Sequence, residues 1–599
     1  MMMPSPFASR LGTNYCPPDK ELHEIKALLV EPCQKLKRLD DEIAVMRQAL
    51  EKLAEERDTL LTYVEAHKAL ISPLRQLPLD IIEEIFMACL PTHRNCVMSA
   101  AEAPVLLGRI CSSWRAISLT TPRLWSKLHI VEPTRPYNSP PYNLNPGLYE
   151  AKVAQRLDVA DAWLRRSGTC PLSISVESNL DHGVTPPLTP SPAPPNTDVF
   201  LDMLVPYASR WKELRLVVPP LALETLSRLT ENDVPLLRRL KIVQRPQHTS
   251  YASGWSLAQC GVLSGPNLSR FSISGSSIVC SDLPLRWSQL TTLSLMGPAW
   301  GTGHVQTTWM VLDILSRCPK LETCKLLVHE SPDDSPSVTE CPFLHSFDLQ
   351  AIGAPLSTAG YLLSRLLLPE LRDFKLRGQA EPHGSHGAES LISFLAASTH
   401  LEAISIDSDS FSKASLMAFI RGLPPTIQFL HITDRFHTWQ LSPADGALDD
   451  DVLGLLHARH EHASPDPDRP TLCPALKKLV LLHCRKVSDE ALRRFVLSRV
   501  PTLEVLDVKF DRERQVDILP SLQPYVVKDN SAQLCVVDDS EQPYAVDSDG
   551  SLASGRPKPK LQASITYITL LPPQFSPWQG LPDAPPGSWG QGWWATPPA

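Results

Sequence analysis

The chain has 599 residues, 43% of them apolar, with a formal net charge of −8. That length requires several structural units or one repeat array, and the acidic balance excludes a broad basic surface, so no nucleic-acid partner is expected. No run of 18 apolar residues occurs and the opening "MMMPSPFASRLGTNYCPPDK" has no apolar leader core, so no membrane partner is expected and the expected setting is cytoplasmic and/or nuclear. The 14 cysteines include no CxxC pair and read as reduced thiols rather than a disulfide or zinc framework.

Residues 1–19 are polar and Pro-containing and read as disordered. From Leu22 a heptad register runs through Ile25, Leu29, Leu36, Leu39, Ile43, Met46, Leu50, Leu53, Leu60, Val64 and Ile71. This spacing predicts a long helix over 20–70, either a two-stranded coiled coil giving a homodimer or a helix or hairpin folded onto its own chain. Pro32 and Arg57 fall on the seam; the proline should break or kink the helix and the arginine weakens the seam.

Residues 71–130 hold "LPLDIIEEIFMACL". A helix starting near Leu79 places Ile82, Ile85, Phe86 and Cys89 on one face, with Pro78 before its first turn and Asp80 at its positive end. A second helix, about Pro104 to Leu119, aligns Leu107, Ile110, Cys111, Trp114 and Ile117, and "TTPRLWSKL" follows as a Pro-started turn. Residues 131–200 read as a linker containing an amphipathic helix over 151–166, the strand "CPLSISV", and the Pro-rich "DHGVTPPLTPSPAPPN" as a disordered loop. Thr185, Thr189 and Ser191 there each precede proline and are candidate phosphorylation sites.

After residue 200 one phrase recurs: apolar, two others, apolar, one other, apolar. Its first positions are Trp211, Leu237, Leu268, Leu290, Leu321, Leu344, Leu371, Leu401, Ile427, Leu476 and Leu503, spaced 22 to 31 apart except for 49 between Ile427 and Leu476. Those are leucine-rich-repeat periods. The predicted fold class is therefore α/β: an N-terminal long helix and an all-α segment, then an irregular leucine-rich-repeat solenoid over 201–512. Parallel strands should line its concave side and amphipathic helices its convex side. Residues 434–470 read as an insertion loop with a short helix near Val452 to Ala458. Residues 513–599 read as an irregular tail whose Trp-rich end lies in Pro- and Gly-rich chain. On the concave side, Lys212, Arg215, Arg239, Lys241, Lys478 and Asp507, with Glu213, Arg238 and Lys477 beside them, are candidate target contacts.

No catalytic residues, cofactor motif or metal set emerges. "GPAWGTGH" lacks phosphate-loop spacing, and His457, His460 and His462, with His483 and Cys484, read as titrating loop histidines before they read as metal ligands. An enzyme is not expected.

The segment "LPLDIIEEIFMACL" followed by "LLGRICSSWRAISLTTPRLWSKLHI" resembles an F-box, whose pattern is a Leu-Pro-x-Asp/Glu start, an apolar helix, a Val/Ile-Cys-x-x-Trp helix and a final Pro-x-Leu-Trp. Leu77, Pro78, Asp80, Ile82, Ile85, Phe86, Ile110, Cys111, Trp114, Pro122, Leu124 and Trp125 fall on those positions. The departure is the longer inter-helix stretch "PTHRNCVMSAAEAP". "WLRRSGTCPLSISV" and "SRWKELRL" look like the fungal F-box families with an irregular leucine-rich solenoid. The resemblance implies a substrate receptor, with these positions binding a Skp-type adaptor, through it a cullin-RING ubiquitin ligase, and the repeats holding a protein target. The alternative is a non-ligase repeat scaffold that self-associates through its coiled coil.

Overall fold

The computed structural model describes residues 5–71, 76–133, 146–178, 197–244, 257–275, 282–297, 306–329, 338–379, 386–434, 447–457, 471–526 and 561–567. It comprises two compact units, Met1–Ala88 and Cys89–Ala599.

In the first unit, helix α1 (Asp19–Leu70) runs unbroken through Pro32, which corrects the expected break: one missing N–H leaves the rest of the hydrogen-bonded ladder intact. Residues 5–18, expected to be disordered, include a 3-10 turn over Ala8–Arg10, and Arg10 pairs with Glu21 at 2.8 Å and Tyr15 at 2.9 Å. Helix α2 (Leu79–Ala88) follows the Leu-Pro step, with the Pro78 carbonyl accepting from Ile82 N–H.

The second unit begins with helix α3 (Ser112–Thr120), strand β1 (Lys127–Val131), helix α4 (Pro146–Arg166) and strand β2 (Leu172–Glu177). Then come α5 (Thr197–Leu204), β3 (Trp211–Val218), β4 (Arg239–Gln244), β5 (Arg270–Ser274), β6 (Thr292–Met296), α6 (Thr308–Ser316) and β7 (Thr323–Leu327). A two-stranded ribbon of β8 (Thr339–Glu340) and β10 (Leu366–Leu367) flanks β9 (Ser346–Pro355) and α7 (Leu356–Ser364). The remainder is β11 (Asp373–Gln379), α8 (His386–Ala397), β12 (Ala403–Asp407), α9 (Lys413–Arg421), β13 (Phe429–Thr433), α10 (Asp450–Gly454), β14 (Lys478–Cys484), α11 (Asp489–Arg499), β15 (Val505–Phe510), α12 (Leu519–Leu522) and β16 (Gln562–Thr566).

Fourteen of these strands form one parallel sheet in chain order, and each of the eleven phrases contributes one. Registered pairing aligns the second apolar position of each phrase into a ladder such as Leu214, Leu240, Phe271 and Leu293. The third positions form another, such as Leu216, Ile242, Ile273 and Leu295. Every member is buried, as are the eleven first positions. One repeat cannot bury its apolar edge alone, so stacking supplies the core. This is a leucine-rich-repeat-like solenoid, and the α/β class follows directly from it.

The sheet is longer than 201–512 at both ends. "LWSKLHI" has the phrase spacing at Trp125, Leu128 and Ile130 and forms β1, and residues 562–566 add β16 beyond Arg512. The segment read as a linker, 131–200, thus supplies β2 and α4 to the repeats. Convex-side helices are not uniform either. Between β3 and β4 the crossover is made of 3-10 turns over Pro220–Arg228 and Glu231–Asp233, the first opening on Pro220 with Pro219 at its cap.

The unexpected stretch between the two helices closes the first edge of the sheet. Val97 bridges to His129, and His129 N–H donates to Cys96 O at 2.8 Å. Asn95 donates to Ser175 Oγ at 3.1 Å and accepts from Ser173 Oγ at 3.0 Å. An open strand edge is a template for unwanted pairing, and this segment covers it. The proline-preceding Thr185, Thr189 and Ser191, and the Trp-rich tail, lie outside the described residues.

Candidate functional site

On α2, Leu79 and Ile81 are 57% and 44% exposed, Pro78 and Asp80 are exposed, and Leu77, Ile82 and Ile85 are half-buried. Phe86, expected among the partner contacts, is 0% exposed and has no surface to offer. The sequence reading favoured Ile82 and Ile85 and passed over Leu79 and Ile81, whose exposure no periodicity argument assigns.

In the second unit, Cys111 caps α3 by accepting Trp114 N–H on its sulfur at 3.4 Å, which gives the Cys-x-x-Trp spacing a local structural reason. Ile110, Leu106 and Leu119 are 56%, 42% and 43% exposed, and Trp114 is half-buried. Leu124, expected among the adaptor contacts, and Trp125, expected among them but partly inward, are both buried. Trp125 Nε1 donates to Ser118 O at 2.7 Å, its ring meets Trp163 edge-on at 4.8 Å, and Arg166 lies over it at 4.9 Å. It is the first apolar position of the first repeat, so repeat stacking consumes it. Pro122 is exposed.

The open face of the sheet carries the other candidate residues. Registered pairing sets His129, Ser175, Arg215, Lys241, Ser272, Ser294 and Lys325 in one row across β1 to β7. Neighbouring strands lie about 4.8 Å apart, so Arg215 and Lys241 are adjacent cations. Arg239 is in the neighbouring row beside Glu213, at 3.6 Å, and Lys325 pairs with Asp348 at 3.1 Å. Neither Arg215 nor Lys241 has a carboxylate at ion-pair distance among the described residues. Burial, then the Arg215 and Lys325 charges, holds the Lys241 ammonium below its ordinary pKa. His129, bonded to Ser175 Oγ at 2.8 Å, is likewise lowered, by burial first.

Across β1 to β7 this face presents six cations, Lys127, Arg215, Arg239, Lys241, Arg270 and Lys325, against Glu177 and Glu213. On a chain of net charge −8 that is a local reversal of sign. Lys212 is exposed on β3, outside these rows, at the irregularity where Leu172 pairs with Trp211. Lys478 and Asp507 are not part of the cluster. Lys478 lies on β14, eight strands on from β4 and on the order of 40 Å away, over the Phe429 ring at 4.9 Å. Asp507 is on β15 beside Val480.

A recess of about 510 Å³ between α9, α10 and α11 is lined by Arg421, Asp450, Asp451, Glu490 and Arg494 among others. Its carboxylates are already engaged: Asp451 by Lys413 at 2.6 Å, Asp450 by Ser488, and Glu490 by Arg493 and Arg494. Of the loop histidines, His457 ends the described part of the insertion, His483 pairs with Asp511 at 3.0 Å, and His460 and His462 lie outside the described residues. Among the described residues no three His, Cys, Asp or Glu side chains form a metal-binding group, and no helix is long and apolar enough to cross a membrane.

The fold and its open face define a leucine-rich-repeat-like solenoid preceded by a short helical segment. No protein-family model matches the chain, and no curated protein matches it. Among solved structures it is similar to the leucine-rich repeat-containing protein LegL7 from Legionella pneumophila, at 15% identity over 51% of this chain and 91% of that one, with a TM-score of 0.28. It is also similar to a chain of the Rad7 and Elc1 complex in yeast, at 13% identity over 58% and 85%, with a TM-score of 0.28. Both likenesses are distant, and the repeat class rests on the sheet itself.

Proposed function

We propose that the protein is a substrate receptor of a Skp-cullin-F-box ubiquitin ligase, acting by binding and without catalysis of its own. The observation that carries this reading is the exposed apolar surface of α2, where Leu79 and Ile81 follow the Leu-Pro step of an F-box-like segment. Two apart on the helix, they do not share one face; each lies beside a half-buried isoleucine, Leu79 by Ile82 and Ile81 by Ile85, and these two apolar pairs are what a groove on an adaptor would cover. Ile110, Leu106 and Leu119 on the second unit are further exposed apolar side chains. Phe86, Leu124 and Trp125 act as core and are not adaptor contacts.

The target binds the open face of the sheet, and its chemistry is set by Arg215 and Lys241. Two adjacent cations with no carboxylate at ion-pair distance among the described residues, set among serine hydroxyls, fit an acidic protein segment. Both cations are exposed, so their attraction for such a segment is screened by salt and acts mainly on register and association rate. The test of the receptor reading is binding of the full chain to a purified Skp-type adaptor, compared with Leu79→Asp/Ile81→Asp. Both positions are exposed, so the variant keeps the fold; loss of binding by about tenfold or more supports the reading. Absence of binding by the folded wild-type chain overturns it and leaves the repeat scaffold.

A further inference from the structure

Helix α1 is 52 residues, about 78 Å, and its apolar seam is bare. Leu22, Leu29, Leu36, Leu39, Ile43, Met46, Leu50, Leu53, Leu60 and Val64 are between 37% and 68% exposed. Within the first unit these positions are left exposed. A single helix in water gains too little from its own hydrogen bonds to hold such a seam open, so something covers it.

The charges beside the seam say what. With Leu22, Leu29, Leu36, Ile43 and Leu50 as the first core position of successive heptads, the flanking positions that meet across a parallel two-stranded coil lie five residues apart. Those pairs are Glu21 with Lys26, Leu28 with Cys33, Lys35 with Asp40, Glu42 with Arg47, Ala49 with Ala54, Glu56 with Leu61, and Tyr63 with Lys68. Three are of opposite charge and none is of like charge. Residues five apart on one helix do not touch, since intrahelical neighbours are three and four apart, so this pattern has no use within a single chain. It is self-complementary only when two copies run parallel and in register. Lys35, Asp40, Glu42 and Arg47 flank the cleanest part of the seam, Leu36 to Leu53, where every core position is apolar.

We propose that α1 pairs with α1 of a second copy of this chain as a parallel, in-register, two-stranded coiled coil, specified by Lys35–Asp40 and Glu42–Arg47 contacts between chains. Arg57, the one charged residue in the first core positions, fixes the register at some cost in stability. The proposal is independent of the adaptor and target readings.

The test uses two full-length variants, Lys35→Glu/Glu42→Lys and Asp40→Lys/Arg47→Glu, with mass measured by light scattering across a concentration series. Each variant alone puts like charges at all four interchain contacts, whereas an equal mixture restores attraction at all four. Intrahelical pairs are the same in both cases, so changes in helix propensity cancel. The expected result is a dimeric wild type, a dimer dissociation constant raised at least about tenfold in each variant alone, and a return to wild-type affinity on mixing, as a heterodimer. A monomeric wild type at about 10 μM, a trimer, or variants that dimerise equally well alone and mixed would overturn the proposal; the last result would mean an antiparallel pair.

Discussion

Asp489, at the start of α11, has none of its side chain exposed and receives four hydrogen bonds. Arg512 donates to Oδ1 at 2.7 Å and Tyr567 O–H at 3.1 Å, while the Gln515 and Val516 amides donate to Oδ2 at 2.8 Å each. Burial alone would raise this carboxyl, but Arg512 and the two amides outweigh it and hold the pKa below the ordinary value. A native pKa below the unfolded one means the unfolded chain binds the proton more readily. The stabilisation is therefore complete above about pH 4 and is lost as pH falls through the native value. Asp489→Ala strands a buried arginine and two amides, at a cost of about 3 kcal/mol. Hydrogen exchange should then speed up on the order of 100-fold in β15 and β16 and much less in β3 to β7. Unchanged exchange there would contradict the role. None of this was legible in the sequence, because "SDEALRRF" advertises only an N-cap and an acidic first turn, and the partner Tyr567 is 78 residues away. Arg499 is a second such case. It has the look of a basic helix end, yet it is buried with its guanidinium donating to the carbonyls of Leu456 and Cys473.

Strands were the readable elements. The phrase requires three buried positions at fixed offsets, and the eleven first positions named from spacing alone all lie in the core. Arg215 and Lys241 could also be set side by side from sequence, since they occupy the same slot of consecutive phrases. The ends of the sheet were less visible. "LWSKLHI" carries the spacing but overlaps the last positions of the F-box-like pattern, and "LQASITY" lacks the phrase's leading apolar residue. The stretch over 91–104 stood out only as a departure from that pattern, whereas its use is to close the edge at β1. Asn95→Ala removes its bonds to Ser173 and Ser175, each worth about 1 kcal/mol. Limited proteolysis should then cut within 91–104 several-fold faster than in the wild type, with the rest of the repeats unaffected. An unchanged rate would mean the edge is held without it.

Taken whole, the chain carries a repeat surface whose first half is cationic although the protein is acidic overall. The proposed recognition of an acidic segment is tested with a fluorescein-labelled peptide of about ten glutamates. Binding should weaken as salt rises and the Debye length shrinks, and Arg215→Glu/Lys241→Glu should lower affinity about tenfold or more. Lys478→Glu, on the distant β14, should leave affinity within about twofold. Equal loss in both variants would point to diffuse charge rather than a site. The decisive measurement is titration of the full-length chain with a purified Skp-type adaptor, beside Leu79→Asp/Ile81→Asp. A receptor binds one adaptor per chain, and the variant loses that binding while its repeats keep the wild-type unfolding transition. A folded wild-type chain that does not bind the adaptor, or a variant that binds as well as the wild type, contradicts the receptor reading.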